Sequence, residues 1–331
     1  MCGATAIDLF AGAGGLSKGL EQAGITVLSG FEWDEDSCDT FAKSHPLAGV
    51  VHADVGRVSW KKWQGVDLVV GGPPCQPWSS GGKRLGSDDA RDGWPAYLRA
   101  IKALKPQMFL AENVAGLTQG LQRERWMTLV CEMSDLGYSV TTRVVNAADY
   151  GVPQKRRRCF IVGIRGGGVF RFPGPSHGPG RRWPWKSAGT VLSDVPIGEP
   201  NRAIVTFARS PDVRPSPYDG HVYNGGGRPI DLTLPAPTLL ASMGGNKTPW
   251  IDSEGIVPEY HAHLMGGGRP RSGSVPGARR ISVEEAALLQ TFPLGTWFAG
   301  PRSSRYRQVG NAVPPRLAEV IGRALLRQLG A

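Results

Sequence analysis

The feature that most constrains the fold is the regular alternation of short apolar segments with amphipathic ones in the first half of the chain. Seven segments have strand character: 4–10, 26–33, 49–54, 66–72, 107–113, 138–147 and 158–164. The continuous apolar run "VDLVVGG" is typical of a parallel strand buried on both faces. Helical patterns separate most of these segments, at 16–24, 34–45, 93–106 and 123–137. Such alternation predicts an α/β fold with right-handed βαβ units and a doubly wound, mostly parallel sheet.

The composition changes near residue 166, where the chain becomes dense in Gly, Pro and Arg and loses helical periodicity. Aromatic residues and leucines still recur there, which predicts a second, smaller, loop-rich domain held together by short strands rather than a disordered insertion. Helical patterns return at 282–292, where Ser282 and Glu285 are spaced as a capping box, and at 314–330. We therefore predict one domain from residues 1–165 and 282–331, and a second from residues 166–281.

The charge balance and the cysteine usage narrow the class of function. The chain has 38 Lys and Arg against 28 Asp and Glu, a formal net charge of +10, which favours a polyanionic partner such as nucleic acid. Its five cysteines have no CxxC spacing, so neither a disulfide framework nor a zinc site is indicated. No apolar run approaches the ~20 residues of a membrane span, and the absence of a signal peptide predicts a cytoplasmic protein without membrane contact.

The segment "DLFAGAGGLS" follows the first predicted strand and opens a helix. Gly12 and Gly14 match the first two glycines of a dinucleotide-binding turn, but Ser17 replaces the third. Both a nucleotide-like ligand and a plain tight turn fit this pattern. The next two strand ends carry Glu32 with Trp33, and Asp54. One adenosine could use all three: Glu32 for the ribose hydroxyls, the Trp33 ring for the adenine, and Asp54 for the exocyclic amine. The alternative is that these are ordinary acidic residues at helix starts.

The fourth and fifth strand ends carry reactive groups. Cys75 lies just beyond the fourth strand, where two prolines stiffen the chain at the carboxyl edge at which open α/β sheets bind ligands. A thiolate there is a candidate nucleophile. Glu112 ends the fifth strand, so it is placed for proton handling or for a hydrogen bond to a heteroaromatic ring, with helix capping as the alternative. In "QKRRR", alternation puts Gln154, Arg156 and Arg158 on one side, and Arg158 is expected to point into the domain.

Together these motifs closely resemble the DNA (cytosine-5)-methyltransferases. The resemblance rests on "DLFAGAGG", "EW", "GGPPCQPWS", "ENV", "QKRRR", "EEAALLQTFP" and "RQVGNAVPP", which occur in the order of that family and span almost the whole chain. The exception is roughly residues 166–280, a region that varies in the family and holds its target recognition domain. The fold implied is the Rossmann-like fold of S-adenosylmethionine-dependent methyltransferases.

The resemblance implies S-adenosylmethionine as the cofactor, S-adenosylhomocysteine as its product, no metal, and C5 of a cytosine as the methyl acceptor. It implies that Cys75 attacks C6, that Glu112 bonds N3 and the exocyclic amine, and that Arg158 contacts O2, with Arg156 holding the environment of Cys75. The cofactor residues that it implies are Asp8, Phe10, Gly12, Gly14, Glu32, Trp33, Asp54, Pro74 and Asn311. The DNA-contact residues that we predict are Gln76, Ser79, Lys83, Arg84, Gln154 and Thr238.

A cytosine inside a duplex cannot be reached by a nucleophile, so the target base must be flipped out. The glycine-rich stretch 79–93 is then expected to act as a lid over that base, rather than as a plain surface loop. Since the chain begins almost at the first motif, we expect an enzyme of bacterial or phage type. We also expect a nucleoid-associated monomer, and a restriction endonuclease of the same specificity can accompany it.

Three other functions compete with this interpretation. The tRNA-directed branch of the family shares the catalytic motifs, but its usual Cys-Phe-Thr signature is absent and no cysteine follows Cys159. An NAD-dependent dehydrogenase would use the same sheet but leaves Cys75 and Glu112 unexplained. A catalytically inactive DNA-binding module is disfavoured by the intact set of Cys75, Glu112 and Arg158.

Overall fold

The computed structural model describes residues 3–74 and 92–330, and a seven-stranded sheet forms its centre. The strand order is β3-β2-β1-β4-β5-β7-β6, and every pairing is parallel except those made by β7. The strands are β1 (Thr5–Leu9), β2 (Thr26–Glu32), β3 (Gly49–His52), β4 (Leu68–Gly71), β5 (Met108–Val114), β6 (Tyr138–Asn146) and β7 (Arg157–Arg165). All seven predicted strands are therefore present, and the predicted doubly wound, mostly parallel sheet is confirmed.

Helices cover both faces of this sheet. They are α1 (Gly15–Ala23), α2 (Glu35–Ser44), α3 (Trp94–Leu104), α4 (Arg123–Asp135) and α8 (Pro315–Leu329). One apolar core joins the sheet to α1 and α8, and a second joins its other face to α3 and α4. Helices α1 and α8 lie unusually close, because a Cβ on Gly19 would collide with the carbonyl of Pro315. The last helix thus packs directly behind the first turn of the chain.

The orientation of β7 decides which residues meet at the carboxyl edge of the sheet. Because β7 runs antiparallel to β5, its first residues lie beside the last residues of β5, and Arg158 pairs with Val114. The polar ends of the two strands therefore face the same edge.

The remaining chain forms smaller elements around two further cores. These elements are β8 (Phe207–Asp212), β9 (His221–Tyr223), β10 (Trp250–Asp252), α5 (Ile256–Met265), β11 (Ala278–Arg280), α6 (Val283–Leu289) and α7 (Arg302–Asn311). The short strands were predicted, whereas α5 and α7 were not. The capping box of Ser282 and Glu285 at the start of α6 is confirmed.

The third core mixes side chains from residues 188–251 with side chains from 281–312, and the fourth lies within residues 205–275. Helices α6 and α7 therefore pack against the loop-rich region as well as against the chain near the first turn. The division at residues 165 and 282 stays a prediction.

Candidate active site

The centre of the candidate site is an ion pair at the carboxyl edge of the sheet. The Nε atom of Arg158 lies 2.9 Å from Oε1 of Glu112, and both side chains are largely buried. The second carboxylate oxygen of Glu112 faces Gly72, because a Cβ built on that glycine would lie 3.5 Å from Oε2. Arg158 therefore occupies the Oε1 side of the carboxylate, and the absence of a side chain on Gly72 leaves Oε2 open to a ligand.

A second contact fixes the chain that leads to Cys75. The side-chain amide of Asn113 donates a 2.9 Å hydrogen bond to the carbonyl of Pro73, and Asn113 is only 5% exposed. The carbonyl of Pro74 in turn accepts a 2.9 Å bond from the backbone N–H of Gly93. The two prolines that precede Cys75 in the sequence are therefore both held by hydrogen bonds to their carbonyls. Cys75, Gln76, Ser79, Lys83 and Arg84 lie outside the described residues.

Arg156 lies beneath this edge as a buried clamp. Its guanidinium donates to the carbonyls of Leu239 (3.1 Å) and Gly310 (2.9 Å), with a longer contact of 3.5 Å to that of Asn311. Gly310 and Asn311 end α7, so the positive charge meets the negative end of a helix. Burial, followed by the neighbouring charge of Arg158, lowers the pKa of Arg156 to about 9. The clamp joins the segment that enters β7, the segment after Thr238 and the end of α7.

Gln154 differs from the prediction. Its side chain is fully buried, donates to Gln290 (3.2 Å) and accepts from the N–H of Leu239 (3.3 Å). Because the Gln154 side chain is buried, it is not available for the DNA contact that we predicted. The hydroxyl of Thr238 donates to the carbonyl of Lys155 at 2.7 Å, so this residue too is bonded to the segment that carries Arg156.

The cofactor side begins at the first turn. Glu32 is 7% exposed, and its carboxylate accepts hydrogen bonds from the N–H groups of Gly12 (2.9 Å), Trp33 (2.9 Å) and Asp34 (3.0 Å). These bonds fix the carboxylate at the edge of β2. Gly12 has φ +54 and a Cβ built on it would meet nothing within 4 Å, so the backbone borders open space. The turn is thus shaped for the close approach of a ligand.

The other predicted cofactor residues lie on both sides of this carboxylate. Trp33 is 73% exposed and Phe10 is half-buried with φ 58. Asp54 is exposed at the end of β3, but its side chain accepts from Gly56 and pairs with Arg57. Asn311 is exposed at the end of α7, with its carbonyl beside Arg156. The structure brings Phe10, Glu32 and Trp33 together around Gly12, while Asp54 is turned towards its own loop.

Asp8 and Gly14 support the turn from below. Asp8 is 1% exposed and accepts a 2.6 Å bond from the hydroxyl of Ser17, and burial raises its pKa to about 6. Gly14 has φ +78, and a Cβ there would collide with the ring of His45. Ser17, which departs from the dinucleotide fingerprint, is therefore the partner of Asp8. That burial indicates a structural rather than a ligand-contacting place for Asp8.

Two residues of the site were missed in the sequence. Asn113 lies next to Glu112 in "ENV", yet its bond to Pro73 spans forty positions and has no local signal. Gln290 is fully buried and donates to the carbonyl of Val309 as well as meeting Gln154. Within residues 3–74 and 92–330, no group of three or more His, Cys, Asp or Glu side chains is placed to hold a metal ion. None of the helices in that part of the chain is long and apolar enough to cross a membrane.

The strand order, the open first turn and the polar pair at the carboxyl edge define a Rossmann-like enzyme of the methyltransferase type. The model of the C-5 cytosine-specific DNA methylase family matches residues 4–207 and 234–327. The chain belongs to this family and is a DNA (cytosine-5)-methyltransferase, as the resemblance predicted.

Curated relatives and solved structures agree with this assignment. Type II methyltransferase M1.HphI of Haemophilus parahaemolyticus is 33% identical, with 98% of this chain and 87% of that protein covered. Type II methyltransferase M.NgoMIV of Neisseria gonorrhoeae is 30% identical, with 98% of each covered. The Entamoeba histolytica methyltransferase EhMeth has a TM-score of 0.71 at 14% identity, covering 99% of both chains. The Dnmt2 methyltransferase of S. pombe has a TM-score of 0.70 at 15% identity, covering 99% of this chain and all of that one, so the fold is shared.

Proposed function

We propose that the enzyme transfers a methyl group from S-adenosylmethionine to C5 of a cytosine flipped out of a specific double-stranded DNA sequence, through a covalent bond between Cys75 and C6. The observation that carries this proposal is the Glu112–Arg158 pair beside the glycine that leads into Cys75. A carboxyl group and a guanidinium at one sheet edge match the N3 and O2 edge of a cytosine, and the sequence places a thiol three residues beyond that glycine.

The residues have complementary tasks in this reaction. The Cys75 thiolate forms a bond to C6, and the C5–C6 π electrons become available at C5 while Glu112 donates a proton or hydrogen bond to N3. Arg158 holds Glu112 and presents donors towards O2. The cofactor supplies the electrophilic methyl group that C5 takes. A base then removes the C5 proton, the C5–C6 double bond re-forms, and the thiolate leaves.

The residues around Gly12 fit an adenosine cofactor. The Glu32 carboxylate is held by three backbone N–H groups, and its Oε2 atom, which accepts only from Gly12, retains acceptor capacity for a ribose hydroxyl. Trp33 offers an exposed ring for an adenine, and the open face at Gly12 admits a ligand against the backbone. Gly14, Pro74, Asp54 and Asn311 stay proposed as further cofactor contacts, and Asp8 as the support beneath them.

The DNA is proposed to lie along the carboxyl edge of the sheet, with residues 79–93 closing over the flipped base. Gln76, Ser79, Lys83, Arg84 and Thr238 stay proposed contacts, and residues 166–281 the region that reads the sequence. Since the curated relatives are named as type II methyltransferases, we propose that this enzyme protects DNA from a restriction endonuclease of the same specificity or acts alone. We further propose that it works as a monomer at the nucleoid.

Methyl transfer is tested by incubating the protein with labelled S-adenosylmethionine and either duplex DNA of mixed composition or tRNA. We expect label in duplex DNA only, and label in neither substrate contradicts the proposal. Mapping of the methylated positions identifies the target sequence.

The covalent step is tested with duplex DNA carrying 5-fluorocytosine at the mapped site. Because fluorine cannot leave as a proton does, the wild-type protein should be trapped as a stable adduct. Cys75→Ser should form none, and Cys131→Ser, which changes an exposed cysteine on α4, should form as much as the wild type. An adduct formed by Cys75→Ser shows that another residue is the nucleophile.

A further inference from the structure

Beyond the site, one stretch of the chain carries positive charge without any negative charge. Residues 150–193 contain nine Lys and Arg and no Asp or Glu, in a chain whose formal net charge is +10. Arg156 and Arg158 are engaged inside the protein, as described above. The other seven are all exposed, and the proposed reaction does not use them.

Three of these exposed residues, Arg181, Arg182 and Lys186, lie on a tight loop, and Lys155 lies against that loop. The backbone N–H of Gly178 donates to the carbonyl of Trp183 at 2.8 Å, which closes the loop, and the N–H groups of Ser176 and His177 both donate to the carbonyl of Asp149. We name the exposed set the basic rim: the five cations Lys155, Arg157, Arg181, Arg182 and Lys186, together with Trp183.

Trp185 fastens the loop to the turn between β6 and β7. Its indole N–H donates to Oδ1 of Asp149 at 2.9 Å, and the ammonium group of Lys155 lies 5.9 Å from its ring. Asp149, the acidic residue just before this stretch, is thus bonded to the loop. Lys155 precedes the buried Arg156 directly, so the loop is held next to the segment that carries the site arginines.

The rim lies on the side of the molecule where the target base is proposed to bind. β7 begins with Arg157, and its first residues pair with the last residues of β5, next to Glu112. Arg182 lies over the Trp183 ring at 5.2 Å, and that ring is 51% exposed. After burial, the positive charges of Lys186 and Arg316 lower the pKa of His177, so the positive field extends to the start of α8.

We propose that the basic rim binds the sugar–phosphate backbone of the DNA duplex that flanks the target cytosine. Separated cations held on a fixed loop suit a row of phosphates, and an exposed indole beside an arginine suits the sugar edge. Such contacts position the duplex without reading its sequence. This inference rests on the proposed function for the location of the target base, whereas binding to a duplex is measured without methyl transfer.

The test compares a variant that lacks three charges of the basic rim with a variant that lacks three charges elsewhere on the surface. The rim variant is Arg181→Ala/Arg182→Ala/Lys186→Ala. The control variant is Arg165→Ala/Arg327→Ala/Lys102→Ala, which removes three exposed cations near the ends of β7, α8 and α3, at the opposite edge of the sheet. The dissociation constant of each for a duplex of about 30 base pairs is measured as a function of salt concentration.

If each cation meets one phosphate, the rim variant should lower the slope of log Kd against log salt by about 2.7, and the control should leave it unchanged. Between about 50 and 200 mM salt, wild-type affinity should then fall roughly 40-fold more than that of the rim variant. At saturating DNA the rim variant should keep the wild-type kcat, with a raised KM for DNA. Arg181→Lys/Arg182→Lys/Lys186→Arg, which conserves charge, should keep the wild-type slope.

The possible outcomes distinguish a failure of the basic-rim proposal from a failure of the proposed methyl transfer. If the rim variant keeps the wild-type salt slope, or if the control variant loses as much slope as the rim variant, the proposed role of the basic rim is wrong. Neither result bears on the proposed methyl transfer. Loss of tRNA binding with unchanged duplex binding also overturns it, in favour of an RNA surface. A wild-type protein that methylates nothing contradicts the proposed function, while the salt slopes still decide whether the rim binds duplex DNA.

Discussion

The buried clamp of Arg156 provides the sharpest test of how the site is held together. Arg156→Lys keeps the positive charge but replaces a planar group with five N–H donors by a single ammonium on a shorter reach. The guanidinium serves the carbonyls of Leu239 and Gly310, which belong to segments separated by about seventy residues. One ammonium cannot match both positions of the planar fork, so one of these carbonyls is left without its donor.

The magnitude follows from the burial of these groups. Arg156 is 1% exposed, and a buried carbonyl without a partner costs roughly 1–3 kcal/mol. Arg156→Lys should therefore lower the free energy of unfolding by about 1–3 kcal/mol, and Arg156→Met, which removes both donors, by roughly twice that amount. The thermal midpoint should fall by a few degrees for Arg156→Lys.

The assay is thermal and urea denaturation of the two variants beside Arg157→Lys. Arg157 is the exposed neighbour of Arg156 and begins β7, so this control should remain within about 0.5 kcal/mol of the wild type. Since the clamp also holds the segment after Thr238, the KM for DNA should rise in Arg156→Lys. If Arg156→Met is as stable as the control, the clamp does not support the fold and the reasoning fails.

Three further predictions concern the carboxylates. Glu112→Gln should slow methyl transfer by roughly 10²–10⁴-fold while DNA binding stays near that of the wild type, and a loss below tenfold in single-turnover rates contradicts its role at N3. Glu32→Gln should weaken S-adenosylmethionine binding at least about tenfold by calorimetry, while the exposed Glu35→Gln should bind as the wild type does. Burial raises the pKa of Asp8 above its unfolded value of 3.8 to about 6, so ionisation costs stability as the pH rises through that range. Asp8→Asn should thus gain stability relative to the wild type between pH 4 and 7, by at most about 3 kcal/mol, and a pH-independent difference excludes this account.

The sheet was predictable because its strands have continuous apolar runs and its helices repeat with the period of 3.6 residues. The helix α7 was missed because its sequence, "RSSRYRQVGN", is mostly polar and has no apolar stripe. It forms because Tyr306 and Val309 enter the third core, and that core draws on residues far away along the chain. Helix α5 was missed inside a region rich in glycine and proline, where Val257 and Tyr260 enter the fourth core.

The sequence predicted that the residues at the strand ends lie near one another, because the carboxyl ends of parallel strands meet at one edge of the sheet. What the rule could not supply is which side chains turn outwards. Gln154, Arg156 and Arg158 alternate along one extended segment, yet Gln154 and Arg156 point into the contact with residues 236–240 and with α7, while Arg158 meets Glu112. The direction of each side chain depends on how the long loop-rich region packs, and that packing leaves no periodic pattern in the sequence.

The reversal of one strand explains why this edge can hold both groups of the site. In an all-parallel sheet, β7 would begin at the amino edge, and Arg158 would lie a full strand length from Glu112. Because β7 runs against β5, its first residues pair with the last residues of β5, and Arg158 lies opposite Val114. The basic residues that precede β7, including Lys155, are brought to the same edge. One antiparallel strand therefore places the guanidinium beside the carboxylate and sets the basic rim beside both.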